Sequence, residues 1–372
     1  MNVLVATDKF KGSLTAFEAC NAIKEGILQF DPTADIQLLP LADGGEGSLE
    51  VIQSKLQFKK IHKPVSDPLF KPVDAWYGLN EKTAYIEMAN ASGLMLIEKK
   101  DQHAPSTTTL GTGELIADAL QKGANKIYLF VGGSATNDAG IGMAHALGYR
   151  FLNNKKKVLN PVGASLNQIA FIEGKPIAAI RDTEFILVSD VKNPLYGKNG
   201  AAKVFAKQKG ANELEINQLD SGLKHFNEVI KSKWDIDISH NKGAGAAGGL
   251  GAGAMIFLNA KTREGINSIM EIVQFDAALK DADYVISGEG KFDKQTLEGK
   301  VVKGVMDACM QYQKPMGVVC GVSELSEKEI KNLSIKAIKA IKNKTISLSD
   351  SINNAYELLI ERSKTLMAQL LG

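Results

Sequence analysis

Cysteine, histidine, aromatic residues and net charge are all scarce in this chain of 372 residues. The three cysteines, Cys20, Cys309 and Cys320, form no CxxC pair and no even framework. They argue for a reducing compartment and against a zinc module or a disulfide scaffold. The histidines at 62, 103, 145, 225 and 240 are spread along the sequence without metal-ligand spacing. With 10 prolines the chain is neither collagen-like nor low in complexity. The 44 basic and 42 acidic side chains leave a net charge of +2, without the basic excess that phosphate-backbone binding uses. The longest uncharged run, Gly243 to Ala260, holds six glycines, whereas a membrane span needs ~20 mostly apolar residues. The opening "MNVLVATD" has no basic n-region, and its apolar run is too short for a secretory signal. These absences lead us to expect a soluble, cytoplasmic protein whose length suggests two or three domains. No Walker A sequence and no GxSxG elbow occur, which speaks against a P-loop enzyme and a serine hydrolase.

Glycine is what the chain has in excess, at 35 residues, about 9% against a usual ~7%. The order of elements gives it a context. Asn2 to Thr7 is a short apolar run fit for a buried strand. Thr15 and Glu18 have capping-box spacing ahead of helically spaced Cys20, Ile23 and Ile27. Ile36 to Leu41 reads as a second strand, with a helix from about Leu49. From about Phe58 to Ser92 the pattern alternates and carries prolines, as short antiparallel or mixed strands do. Strand and helix patterns alternate again in "TTTLGTGELIADALQKG", "KIYLFVGG" and "EFILVSDVKNPL", and Ala211 to Lys233 is helical by period. "ADYVISGEG", "KPMGVVCGV" and "IKAIKAI" then return to the opening style, before a helix from about Asp350. The two chain ends therefore predict one α/β domain with a mixed domain inserted into it.

Four glycine loops fall where a strand reading ends: "ADGGEGS" (42–48), "VGGSATNDAG" (131–140), "GAGAAGGLGAG" (243–253) and "SGEGKFD" (287–293). Glycine at such a place lets backbone amides approach a ligand and cradle an anion. Carboxylates lie among them or at another strand end: Asp43, Glu46, Asp138, Asp190, Glu289 and Asp293. Amides for phosphate with carboxylates for Mg²⁺ is the equipment of phosphoryl transfer. A formal GxGxxG at Gly243, Gly245 and Gly248 leaves an NAD-dependent oxidoreductase as a rival, although "WDIDISHNK" before it is a poor buried strand. Ser134 follows two glycines and reads equally as an exposed hydroxyl or a turn former. Lys11 lies in a loop that opens a helix, where a lysine adds charge to an anion site.

Taken together and in order, "DKFKGSLTAFEA" (8–19), "ADGGEGS", "GTGELI" (111–116), "GGSATNDAGIGMAHALG" (132–148), "SDVKNPLYGKNGAAKVFAKQKGA" (189–211), "GAGAAGGLGAG" and "SGEGKFDKQTLEGKVVKGV" (287–305) resemble the bacterial-type (type I) glycerate kinase family over essentially the whole chain. Lys9 stands where that family commonly has serine. The resemblance implies an ATP- and Mg²⁺-dependent kinase for D-glycerate, with 2-phosphoglycerate the favoured product. It also implies an α/β fold of two domains with the active site in the cleft between them. Residues 1–65 plus 265–372 would form a Rossmann-like parallel-sheet domain, and 66–264 an inserted mixed α/β domain. On this reading Asp190 is the general base or a Mg²⁺ ligand. Asp8 and the charge partners Lys11 and Lys300 complete the catalytic set, with Lys209 and Lys291 as second choices for charge. The loop residues Gly44, Gly45, Gly111, Thr112, Gly132, Gly133, Ser134, Asn137, Gly248, Gly249, Gly288 and Gly290, with Lys291, would bind substrate or nucleotide. Asp43, Glu46, Asp138, Glu289 and Asp293 are the metal candidates. A kinase for another hydroxy acid or sugar acid, and a non-catalytic nucleotide-binding regulator, are the other rivals. The reading expects small-molecule partners, no nucleic acid or membrane, and leaves room for a homo-oligomer.

Overall fold

The computed structural model describes all residues except Glu46, Lys344 and Thr345, and omits the Glu298 side chain. Two compact units divide the chain: Met1–Asp43 with Glu50–Leu56 and Glu264–Gly372, and Gly44–Leu49 with Gln57–Arg263. The second unit thus takes in residues 44–49 and 57–65, which the sequence reading gives to the first domain, and Glu264 falls in the first unit.

With strands numbered in chain order, the first unit is built on β1 (Asn2–Thr7), β2 (Asp35–Leu38), β11 (Tyr284–Phe292), β12 (Met316–Ser323) and β13 (Ala337–Ala340). They lie in the order β13-β12-β11-β1-β2, and every pairing is parallel. Parallel strands need crossovers, and helices supply them. The helix Ala16–Phe30 starts at Thr15, whose hydroxyl accepts from Glu18 N–H while the Glu18 carboxylate accepts from Thr15 N–H. Its apolar face, with Cys20, Ile23 and Ile27, packs with Val3, Val5, Leu359 and Leu366. The order reverses between β1 and β11, because the chain passes to β2 on one side of β1 and returns on the other. In an open parallel sheet that reversal is where ligands bind, outside the carboxyl ends of the strands.

The second unit has a six-stranded sheet, β10 (Lys261–Arg263), β9 (Glu184–Val188), β6 (Lys126–Phe130), β5 (Thr83–Glu87), β4 (Pro72–Asn80) and β3 (Lys59–Ser66), in that spatial order. The pairs from β10 to β5 are parallel, and β5–β4 and β4–β3 are antiparallel. This is the mixed sheet that the alternating, proline-bearing stretch predicts. A separate antiparallel pair joins β7 (Tyr149–Leu152) and β8 (Phe171–Gly174). The long helix Glu213–Trp234 begins with a second capping box, at Asn212 and Glu215. The apolar strands β5, β6 and β9 all end on one side of their sheet. Glu87, the 131–140 loop and Asp190 lie at those ends. Among the described residues, no helix is long and apolar enough to cross a membrane.

Candidate active site

In the first unit the reversal point carries a pair of buried carboxyls. Thr7, the last residue of β1, pairs with Gly288 of β11. The next residue, Asp8, donates its N–H to the Gly288 carbonyl at 2.9 Å. Asp8, just past the end of β1, therefore sits beside Glu289 within β11, and the two are 8% and 6% exposed. Burial pushes Asp8 up to about 7; the nearby Asp43 charge adds to the shift, while the Lys9 amide and the Lys9 and Lys300 charges oppose it. Burial likewise pushes Glu289 up to about 8, with Asp8 and Asp293 adding and Thr296 and Lys300 opposing. Glu289 Oε1 and the hydroxyl of buried Ser287 have no hydrogen-bond partner among the described residues. Lys300, at the head of the Val301–Gln311 helix, acts electrostatically on both carboxyls.

The second unit builds its own polar centre where the chain leaves β6. Asp138 is fully buried and saturated with donors. Its Oδ2 accepts from the N–H and hydroxyl of Thr109, both at 2.8 Å, and from Gly142 N–H at 3.2 Å, while Oδ1 accepts from Gly140 N–H at 3.1 Å. Burial raises its proton affinity and those donors lower it. Lys209 is 3% exposed and donates to Ser134 Oγ and to the Thr136 carbonyl, both at 2.7 Å. Burial pushes its amine down to about 7, against the attraction of Asp138. Asn137 is fully buried, and among the described residues neither its amide oxygen nor its amide nitrogen has a partner; Thr136 Oγ1 has none either. Buried polar groups are nearly always paired, so this loop holds unspent capacity for both donating and accepting. Asp190 is half-buried just past β9, where Ser189 N–H donates to the Arg263 carbonyl at 3.0 Å.

Several glycines read from sequence as ligand loops have packing work instead. Ser287 to Phe292 continues β11, so Gly288 and Gly290 are strand residues. A Cβ at Gly288 would stand 2.2 Å from the Val319 carbonyl of the neighbouring strand, and one at Gly290 would crowd the Lys11 amide. The 243–253 run enters the helix Ala246–Phe257, kinked at Ala247, Gly248 and Gly249 with left-handed backbone. A Cβ at Gly248 would lie 2.0 Å from the Thr136 carbonyl, and Gly249 is pressed against Ala139. Both glycines thus let the helix pack closely against the 131–140 loop. The element immediately before the run is the Glu213–Trp234 helix, not a strand, so the GxGxxG lacks the setting a dinucleotide site requires. Gly111 and Thr112 lie inside the Leu110–Gln121 helix, where Gly111 fits under the Ser66 carbonyl and the Thr112 hydroxyl meets Ser92 Oγ at 2.8 Å.

The remaining positions divide as follows. Gly44 is buried with left-handed backbone, and the Gly45 carbonyl accepts from the Ser48 hydroxyl at 2.6 Å. Gly132 and Gly133 are at the surface of their loop, and Ser134 is 8% exposed. Lys11 is exposed. Lys291 pairs with Asp293 at 3.1 Å and Glu324 at 2.9 Å, and the Asp293 carboxylate also accepts from the amides of Gln295 and Thr296. Glu46 lies outside the described residues. Among the described residues, no three His, Cys, Asp or Glu side chains are grouped to hold a metal ion. One residue that sequence reasoning passes over is Glu87, 3% exposed at the end of β5, whose carboxylate accepts from the amides of Ser48 at 2.6 Å and Leu49 at 3.2 Å. Its only sequence signal is an acidic residue closing an apolar strand.

Comparison with known proteins bears on the whole chain. A model of the glycerate kinase family matches residues 3–371. The glycerate kinase of Halalkalibacterium halodurans is 39% identical over 98% of this chain and 97% of its own length. The glycerate 2-kinase of Escherichia coli K12 is 37% identical over 100% of this chain and 98% of its own. A crystal structure described as a "putative glycerate kinase 2" from Salmonella typhimurium LT2 superposes with a TM-score of 0.86 at 37% identity, covering 100% of this chain and 98% of that one. Full-length agreement in sequence and fold, with carboxyls buried where a parallel sheet reverses, places this chain in the glycerate kinase family.

Proposed function

We propose that this chain transfers the γ-phosphoryl group of ATP to D-glycerate, at the hydroxyl of carbon 2. Membership of the family supports glycerate as acceptor and a kinase reaction; the name of the Escherichia coli relative, glycerate 2-kinase, supports the position. The observation that carries the chemistry is the Asp8–Glu289 pair at the reversal point of the first sheet. A general base works best with a pKa near the operating pH, and Asp8 is held at about 7. Asp8, rather than Asp190, is therefore the base that takes the proton of the attacked hydroxyl. Lys300 acts electrostatically on both carboxyls and keeps their ionised forms accessible. Asp190, at the end of β9, is left as a substrate- or ion-facing carboxylate of the second unit.

The donor set fits Mg²⁺, a hard cation that uses one or two carboxylates and completes its shell with water and phosphate oxygens. Asp43 raises the proton affinity of Asp8, and Asp8 that of Glu289, a mutual repulsion that a bound cation would relieve in place of a proton, and Glu289 Oε1 has no protein partner among the described residues. Asp43 and Glu289 would hold the ion, which when bound with ATP neutralises phosphate charge. Asp138 is not offered this role, because its oxygens already accept four hydrogen bonds. The three free thiols accord with work in a reducing cytoplasm.

Phosphorus NMR of the product from D-glycerate and Mg·ATP tests the reading, alongside a panel of hydroxy acids and sugar acids followed by ADP release. We expect 2-phosphoglycerate and ADP. Formation of 3-phosphoglycerate overturns the position alone. Turnover of another acid with higher kcat/KM, and little from glycerate, overturns the substrate.

A further inference from the structure

Lys209 takes no part in the transfer described above, yet a lysine is among the costlier side chains to bury. Its placement is built in. The Lys207–Lys209 turn ends at Gly210 with φ of +89°, where a Cβ would stand 1.9 Å from the Gln102 carbonyl. No other residue fits that turn, and the turn sends Lys209 inward to Ser134 Oγ and the Thr136 carbonyl. We propose that Lys209 is a positioning residue: it orients the Ser134 hydroxyl as a hydrogen-bond donor to an anionic oxygen of a bound ligand, a carboxylate of glycerate or a phosphate of ATP. The proposal rests on the kinase reading above.

The argument is one of donors and acceptors. An ammonium carries donors only, so Ser134 Oγ accepts from Lys209. Among the described residues that oxygen makes no other hydrogen bond, and its own proton is free to be donated elsewhere. Ser134 lies beside the surface residue Gly133, where a Cβ would meet only Ala89 Cβ, at 3.5 Å. The loop is thus open on that side, in contrast to the closed packing at Gly248. On its inner side Asp138 anchors the loop to the starts of two helices. Between the two anchors, Thr136 Oγ1 and the Asn137 amide hold further unpartnered polar capacity in a fully buried setting. A hydroxyl polarised from behind by a cation and fixed at both flanks suits an anion better than a neutral group.

A double-mutant cycle with Ser134→Ala and Lys209→Met tests this, with KM for glycerate and for ATP, kcat, and melting temperature measured for each variant. Assays at about pH 6 keep the amine protonated. Loss of one ion-assisted hydrogen bond should raise one KM about tenfold or more. We expect both single variants to raise the same KM, with the double variant no worse than the poorer single. A rise for glycerate assigns the carboxylate; a rise for ATP assigns the phosphate. Lysine acting only as a structural tie would lower the melting temperature and multiply with Ser134→Ala, and that overturns the proposal. Ser134→Ala with both KM values unchanged overturns it too, whether or not the Lys209 variant folds. Should the wild type make no ADP from glycerate, the kinase reading falls, and inorganic phosphate decides the anion site. A phosphate-dependent rise in melting temperature that Ser134→Ala abolishes then supports it, and an equal or absent rise overturns it.

Discussion

At the scale of single residues, burial bends proton affinities in opposite directions for acids and amines. Lys209 falls from 10.5 to about 7 on folding. Between those values the folded chain binds fewer protons than the unfolded chain, so this residue's contribution to stability is present above 10.5 and is lost as pH falls through about 7. Lys209→Met removes that dependence. Denaturant titrations at the two ends of the window should show a flatter change in unfolding free energy than in the wild type. An unchanged slope would mean the amine is not desolvated.

Asp8 is displaced the other way, from 3.8 to about 7, so its contribution is present below 3.8 and is lost as pH rises through about 7. Asp8→Asn lacks that loss, and should fold as well as the wild type at neutral pH. Its kcat should nonetheless fall at least ~10²-fold, as for loss of a general base. Asp190→Asn is the control. Full turnover in the Asp8 variant, with loss in the Asp190 variant, would return the base to Asp190. Charge type and strand-end position made Asp8, Glu289 and Asp190 visible in sequence. Lys209 ranked behind Lys11 and Lys300 because its inward aim depends on how Gly210 meets Gln102, a contact made across 108 positions of chain. Glu87 carried no motif at all.

At the scale of elements, local signals were dependable where the neighbours agreed with them. The Thr15–Glu18 capping box and the apolar spacing behind it place the first helix where it is found, because the cap and the period are local properties. The glycine loops were harder, since glycine serves equally to admit a ligand and to admit another backbone. "SGEGKFD" is strand because β12 pairs along it through Ser323. "GAGAAGGLGAG" is a kinked helix because the 131–140 loop lies against it. A pair of substitutions separates strain from crowding. Gly12→Ala, with φ of +84° and open space around it, carries backbone strain alone, and should cost about 1 kcal/mol. Gly248→Ala adds a clash with the Thr136 carbonyl at 2.0 Å. It should unfold at markedly lower denaturant or fail to accumulate as folded protein. Equal midpoints for the two would show that the kink relaxes freely.

At the scale of the whole molecule, burial also decides what the scarce residues can do. Cys20, Cys309 and Cys320 are free and buried, and burial raises the proton affinity of all three thiols. An aromatic disulfide reagent should therefore titrate none of them in the native protein, and all three in guanidinium. Rapid native reaction of even one would contradict this packing. Ligands should also stabilise the fold by mass action, by about 2.7 kcal/mol at a hundredfold excess over Kd. Mg·ATP with glycerate should raise the melting temperature accordingly, and EDTA should abolish ADP formation until Mg²⁺ is restored. ADP formation that survives EDTA would remove the metal from the proposal.

By itself the sequence determined the element order, the parallel sheet shared by both chain ends, the mixed insertion, and the family to which the motifs belong. The family rests on the resemblance of seven motifs in order; the rest is written in period, capping and local pattern, which a chain carries without reference to its distant parts. Only the tertiary structure decided which glycines face outward and which carry another backbone. The same holds for Asp138, whose oxygens both accept hydrogen bonds, for Glu289, one of whose oxygens has no partner among the described residues, and for the amine held against Ser134. Those properties depend on what lies beside a residue in space, because desolvation, Coulomb attraction and steric exclusion act over a few ångströms while the partners lie up to hundreds of positions apart in the chain.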